Sequence, residues 1–201
     1  MDKYLVLKPL TNAIYGGQIL LGEKDISKNL CIRLLLLESN CVVEVDANNE
    51  LTLNLYIIKA SGHINICKLI DYSNNQTILF LVFEYYPNTE LLTSLQKVKA
   101  FGKFQTKEFL NQIANAIHFL HQRNVAHRDI SLENILLEKM NIQLQKKVYI
   151  APKALKNQEY ASISIDMWSL GVVLFTMHIG KYPFREANES DPRFTVYCRR
   201  G

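Results

Sequence analysis

His127-Arg128-Asp129-Ile130-Ser131-Leu132-Glu133-Asn134 runs directly into the apolar Ile135-Leu136-Leu137. Upstream, Phe109, Ile113, Ala116, Ile117 and Leu120 recur at helical spacing, which predicts an amphipathic helix. Thr106 is the expected cap of that helix, Glu108 lies near its positive end, and Arg123 is near its close. The quoted stretch is therefore a loop that follows a helix and leads into an apolar run. An Asp and an Asn five residues apart on such a loop suit a proton acceptor and a metal ligand.

The chain on either side has different periods. Before the loop, Tyr4–Leu7, Gln18–Leu21, Leu30–Leu36, Ile66–Asp71 and Ile78–Phe83 are short apolar runs between polar or glycine-bearing stretches, and they predict strands. One helix interrupts them between Asn49 and Ala60, where Leu51, Leu55 and Ile58 recur and Gly62 can end the turn. After the loop, Asp166–His178 is apolar on all sides when stepped at helical intervals, so it is expected to be buried all round, with Gly180 and Pro183 ending it. The order is a strand-rich part, a linker near Tyr85–Asn88, then a helical part, which is an α+β arrangement.

Composition bounds the function. The 201 residues are 48% hydrophobic and 21% charged, which fits one globular unit or two small lobes and excludes a disordered chain, a collagen or a disulfide-knotted miniprotein. Lys and Arg number 23 against 19 Asp and Glu, and the net charge of +4 is spread along the chain. No nucleic-acid or membrane partner is implied by such a balance. Arg199-Arg200 is expected to be a frayed tail. Cys31, Cys41, Cys67 and Cys198 have no metal-ligand spacing and read as free thiols of a reducing compartment. With no signal-peptide core and no apolar run long enough to span a bilayer, the expectation is a soluble cytoplasmic protein.

The loop resembles the catalytic loop of the eukaryotic protein kinases, His-Arg-Asp followed after four residues by Asn. Other stretches resemble that family in its own order. Leu81-Val82-Phe83-Glu84-Tyr85-Tyr86 is similar to the last strand and hinge of the first lobe. His63-Ile64-Asn65-Ile66 is similar to the turn after the lobe helix. Tyr149-Ile150-Ala151-Pro152-Lys153 resembles the Ala-Pro-Glu stretch, and Asp166-Met167-Trp168-Ser169-Leu170-Gly171 the start of the central helix. Pro183–Ala187 with Ser190-Asp191-Pro192 distantly resembles the calcium/calmodulin-dependent group of serine/threonine kinases.

The resemblance implies a two-lobed fold: a first lobe over residues 1–84, a hinge over 85–88, and a helical second lobe over 89–201. It implies ATP and magnesium as cofactors. Asp129 falls on the proton acceptor, and Asn134 on a catalytic-loop residue that holds magnesium. Gly16, Arg33, Glu84, Tyr86 and Leu136 fall on nucleotide-binding positions, Glu84 and Tyr86 through their backbone. Asp166 would brace the loop backbone. His127 would be a packed core imidazole, in one spine with Leu69 and Ile58.

Departures from the family pattern are equally specific. Thr11 and Ala13 stand at the first two glycines of the phosphate loop, leaving only Gly16. The strand lysine is Arg33, whose planar fork is not a point charge. Asn54 stands where the family has the helix glutamate, with Glu50 one turn away. Ser131 replaces the lysine of the serine/threonine loop. After Asn141-Ile142-Gln143-Leu144 comes Gln145-Lys146-Lys147 and not Asp-Phe-Gly, and only 16 residues lie between Asn134 and Ala151. An activation segment and the last helices of the second lobe are missing, so an apolar patch is expected on the central helix. The expected function is a catalytically inactive pseudokinase, a binding or scaffold module for protein partners, with weak or absent ATP and magnesium binding. The alternative is an incomplete sequence of an active serine/threonine kinase.

Overall fold

The apolar runs of the N-terminal part pair into one antiparallel sheet. The computed structural model describes residues 4–12, 18–23, 29–36, 41–75, 78–86, 90–138, 141–144, 159–185, 187 and 190–200. The sheet contains β1 (Leu5–Asn12), β2 (Gln18–Glu23), β3 (Asn29–Leu36), β4 (Leu69–Asn74) and β5 (Ile78–Glu84), ordered β1-β2-β3-β5-β4. Strand alternation sorts the side chains into two sets. Leu20 pairs with Ile32 and Ile32 with Val82, and these pack together with Leu30. Leu79 and Leu81 form the other set with Leu69.

That second set is covered by α1 (Cys41–Lys59), which lays Leu51 and Leu55 on it. The helix begins eight residues before the expected Asn49. The β-branched Val42, Val43 and Val45 weaken the helical signal there. Its end is as expected: Gly62 has φ +64° and its N–H donates to the Ile57 carbonyl at 2.9 Å. Ile58, expected in the core spine, is exposed, while its neighbour Ile57 is buried.

The C-terminal part holds α2 (Leu91–Val98), α3 (Lys103–His121), the hairpin β6 (Ile135–Glu138) and β7 (Asn141–Leu144), α4 (Glu159–Ile179) and α5 (Pro192–Arg200). Gly102 occupies the α3 cap position; Thr106 lies in the first turn, where its N–H donates to the Gly102 carbonyl and its hydroxyl to the Phe101 carbonyl. The α3 stripe Phe109, Ile113, Ala116, Ile117 and Leu120 is buried as expected. It joins one core with Leu53, Ile57 and Ile66 from the N-terminal part and Leu170, Val173 and Met177 from α4.

Two expectations fail at the C-terminal end. The helix α4 packs against α3 along Asp166, Leu170, Val173 and Met177. Its opposite side shows Met167 53% and Phe175 42% exposed, so it is not buried all round. All-round apolarity states what a helix could bury, not how many neighbours it meets. Trp168, Phe184 and Phe194 cover part of that side, with ring centroids 5.2 to 6.3 Å apart. Arg199 and Arg200 lie in the last turn of α5 and not in a frayed tail. Asp191 explains that helix: its Oδ1 accepts the Arg193 N–H at 2.8 Å, and Pro192 fits the first helical position.

Gly180 ends α4 with φ +76°, its N–H donating to the Thr176 carbonyl at 2.8 Å. A Cβ there would drive into the Lys99 carbonyl, while one at Gly171 meets nothing within 4 Å. Gly180→Ala is expected to cost about 3 kcal/mol and to lower the melting temperature by roughly 10 °C. Gly171→Ala is expected to leave it unchanged or raise it slightly. Circular dichroism melting of both variants tests this pair; equal melting temperatures would refute the close approach at Gly180.

Candidate functional site

One carboxylate organises the loop after α3. Asp166, on α4, is 0% exposed. Its Oδ2 accepts the His127 N–H at 2.7 Å and its Oδ1 accepts the Arg128 N–H at 2.6 Å. His121, from the last turn of α3, places Nε2 2.7 Å from the same Oδ2. Arg128 has φ +65°, a left-handed conformation that costs a non-glycine residue roughly 1 kcal/mol or more. Charge-assisted bonds to two successive N–H groups hold it there. The expected bracing by Asp166 is present. His121 was not foreseen: a single His at a helix end carries no motif of its own.

Downstream, the loop closes on itself. His127 is 1% exposed, and its Nδ1 accepts the Asp129 N–H at 3.3 Å, consistent with a packed imidazole. Ile130 and Leu132 point into the core, and the Leu92 N–H donates to the Leu132 carbonyl. Asn134 donates through Nδ2 to the Asp129 carbonyl at 2.9 Å and to Asp129 Oδ2 at 2.8 Å. Asp129 and Asn134 are thus brought together as the sequence led us to expect.

The Asn134 Oδ1 is buried without a hydrogen-bond partner. Orphaned buried acceptors are uncommon. This one sits beside a carboxylate, and the pair fits one corner of a magnesium site. The rest of such a site does not follow from the residues present. No group of three His, Cys, Asp or Glu side chains is poised for a metal among the described residues. The strand β7 is followed in sequence by Gln145-Lys146-Lys147, with no carboxylate. The residues present therefore fit a magnesium ion only in part.

The other expected positions divide. Leu136 lies on β6, opposite Gln143 on β7 and bridged to Glu90. Arg33 lies on β3 opposite Ile19 and Leu81; its side chain falls outside the described residues, as do Gly16, Ala13 and the Tyr149–Lys153 stretch. Glu84 ends β5, and its N–H already donates to the Lys68 carbonyl at 3.2 Å, so that donor is not open to a ligand. The Tyr86 hydroxyl donates to Glu84 Oε2 at 2.7 Å. Asn54 is buried and turned back on its own helix, donating Nδ2 to the Glu50 carbonyl at 2.9 Å. Being neutral, it brings no charge to Arg33. Glu50 is buried as well.

Similarity to known proteins is broad and distant. The protein kinase domain profile matches this chain in two pieces, residues 23–146 and 139–199. A serine/threonine-protein kinase SRK2G of Arabidopsis thaliana is 28% identical over 94% of this chain. Aurora kinase B of Danio rerio is 24% identical over 95% of it. A probable serine/threonine-protein kinase KIN1 homolog of Enterocytozoon bieneusi is 30% identical over 63% of it. The chain spans 58%, 65% and 25% of the lengths of these three relatives. No helix among the described residues is long and apolar enough to cross a membrane.

Proposed function

We propose that this chain, which belongs to the protein kinase family, acts as a catalytically silent member: a cytoplasmic binding or scaffold module for protein partners. On this reading residues 1–84 form the first lobe, 85–88 the hinge and 89–201 the second lobe. Asp129 and Asn134 then serve the loop's architecture. The observation that carries the reading is Asn54, whose side chain bonds its own helix and offers no negative charge to a strand cation. The side chains at Thr11 and Ala13 and the absence of Asp-Phe-Gly after β7 point the same way.

The test is a thermal shift of the full chain with ATP at about 1 mM, with and without magnesium. A ligand at 100 times its dissociation constant stabilises by about 2.7 kcal/mol, several degrees for a chain of this size. The expected result is a shift within about 1 °C in both conditions. A shift of several degrees that needs magnesium would overturn the proposal.

A second reading has support of its own: this is an incomplete sequence of an active serine/threonine kinase. The catalytic loop is fully formed, and the two pieces of the family match overlap at 139–146, where the missing block would fall. On that reading ATP and magnesium are used by the complete protein. The transcript between Leu144 and Val148 separates the two. A message matching this chain without interruption supports the silent module; an Asp-Phe-Gly-coding segment there supports the incomplete kinase.

A further inference from the structure

Beside the end of β5 lies a cavity of about 700 Å³. It is bounded by the last turns of α1, the loop over 61–68, Glu84 at the end of β5 with Tyr86 just beyond it, and Glu138 at the end of β6. Leu136, the residue that resemblance assigns to the nucleotide, is not among the residues lining it. The volume lies within the roughly 300–1,000 Å³ typical of small-molecule sites. Ile57 and Ile66 give it a buried apolar wall.

The opposite character comes from two carboxylates. Tyr86 donates to Glu84 Oε2 at 2.7 Å. Its phenol is pushed far up from the usual range, by burial first and then by the Glu84 hydrogen bond, and the charge of Glu138 is also felt there. Glu84 and Glu138 both line the cavity, and Glu84 is fixed there by the Tyr86 hydroxyl. Among the described residues neither is in an ion pair. Lys68 also lines the cavity but is exposed, so its ammonium can remain in water. His63 is held below its usual pKa by burial and by Arg123, which favours the neutral ring near pH 7.

A cavity lined by Ile57 and Ile66 together with two carboxylates outside any described ion pair selects one kind of ligand. We propose that this cavity binds a small organic cation, a protonated amine held by Glu84 and Glu138 on an apolar body lying against Ile57 and Ile66. The site is independent of whether the chain transfers phosphate.

Three probes with one body and different charge test it: 4-phenylbutylammonium, 4-phenylbutan-1-ol and 4-phenylbutyrate, titrated into the full chain and followed by NMR. The ammonium is expected to bind about fivefold more tightly than the alcohol, and the butyrate most weakly. In Glu84→Gln with Glu138→Gln the alcohol is expected to bind as before and the preference for the ammonium to vanish. Glu138→Gln alone, at an exposed strand end, is expected to lower the preference about twofold, which keeps the test open if the double variant misfolds. Ile58→Trp, reaching in from an exposed position, is expected to abolish binding of all three. Equal affinities, a preference that survives the double substitution, unaltered binding in Ile58→Trp, or no binding of any probe at about 10 mM would each overturn the proposal.

Discussion

Incubated with labelled ATP, magnesium and a protein acceptor, this polypeptide is expected to transfer phosphate several million-fold more slowly than a complete kinase domain. On the proposed reading three parts of the machinery are altered: the phosphate loop at Thr11 and Ala13, the charge pair at Arg33 and Asn54, and the carboxylate absent after β7. Removing one preorganised electrostatic partner from a transition state costs about 3 kcal/mol. Three such losses approach about 9 kcal/mol if they add, or between six and seven powers of ten in rate. The Asn54 hydrogen bond within its own helix bears on the second part, because it shows the side chain committed elsewhere. Label on the acceptor at an ordinary kinase rate, lost in Asp129→Ala, would defeat this expectation.

The second large effect concerns stability. Asp166→Ala is expected to cost about 4 kcal/mol, because it leaves the His127 and Arg128 N–H groups without their acceptor and removes the partner of His121. In a chain of this size that lowers the melting temperature by roughly 8–16 °C. Relaxation of Arg128 from its left-handed conformation recovers only a fraction of the loss. Asp166→Asn keeps one acceptor oxygen and is expected to cost about half as much. Calorimetry of the two variants checks the order. An unchanged melting temperature for Asp166→Ala would mean that the loop is held by something other than this carboxylate.

The strands were legible as apolar runs separated by polar turns, although β4 begins at Leu69 and not at the expected Ile66, and β1 runs on to Asn12 past the expected Leu7. The beginning of α1 was obscured by Val42, Val43 and Val45 in its first turns, while Leu51 and Leu55, which pack on the sheet, marked its later turns. At α3, a good capping residue lay four positions inside the helix, and the extended Gly102 took the end. Asp129 and Asn134 could be paired from sequence because five residues on one loop bring them close. Asp166 lies 38 residues from Arg128, and only resemblance could join them. The cavity beside β5 had no signature at all. It is a space between three separate segments, and no local pattern encodes an empty volume.

The fold at Asp166 has a wider consequence. Every polar contact described above for the His127–Asn134 turn runs within the turn, to Asp166 on α4 or to Leu92 on α2. Its shape is complete before any substrate arrives. Folding alone would be enough to keep these residues in place, so the presence of the turn is a measure of architecture and not, by itself, of enzymatic competence.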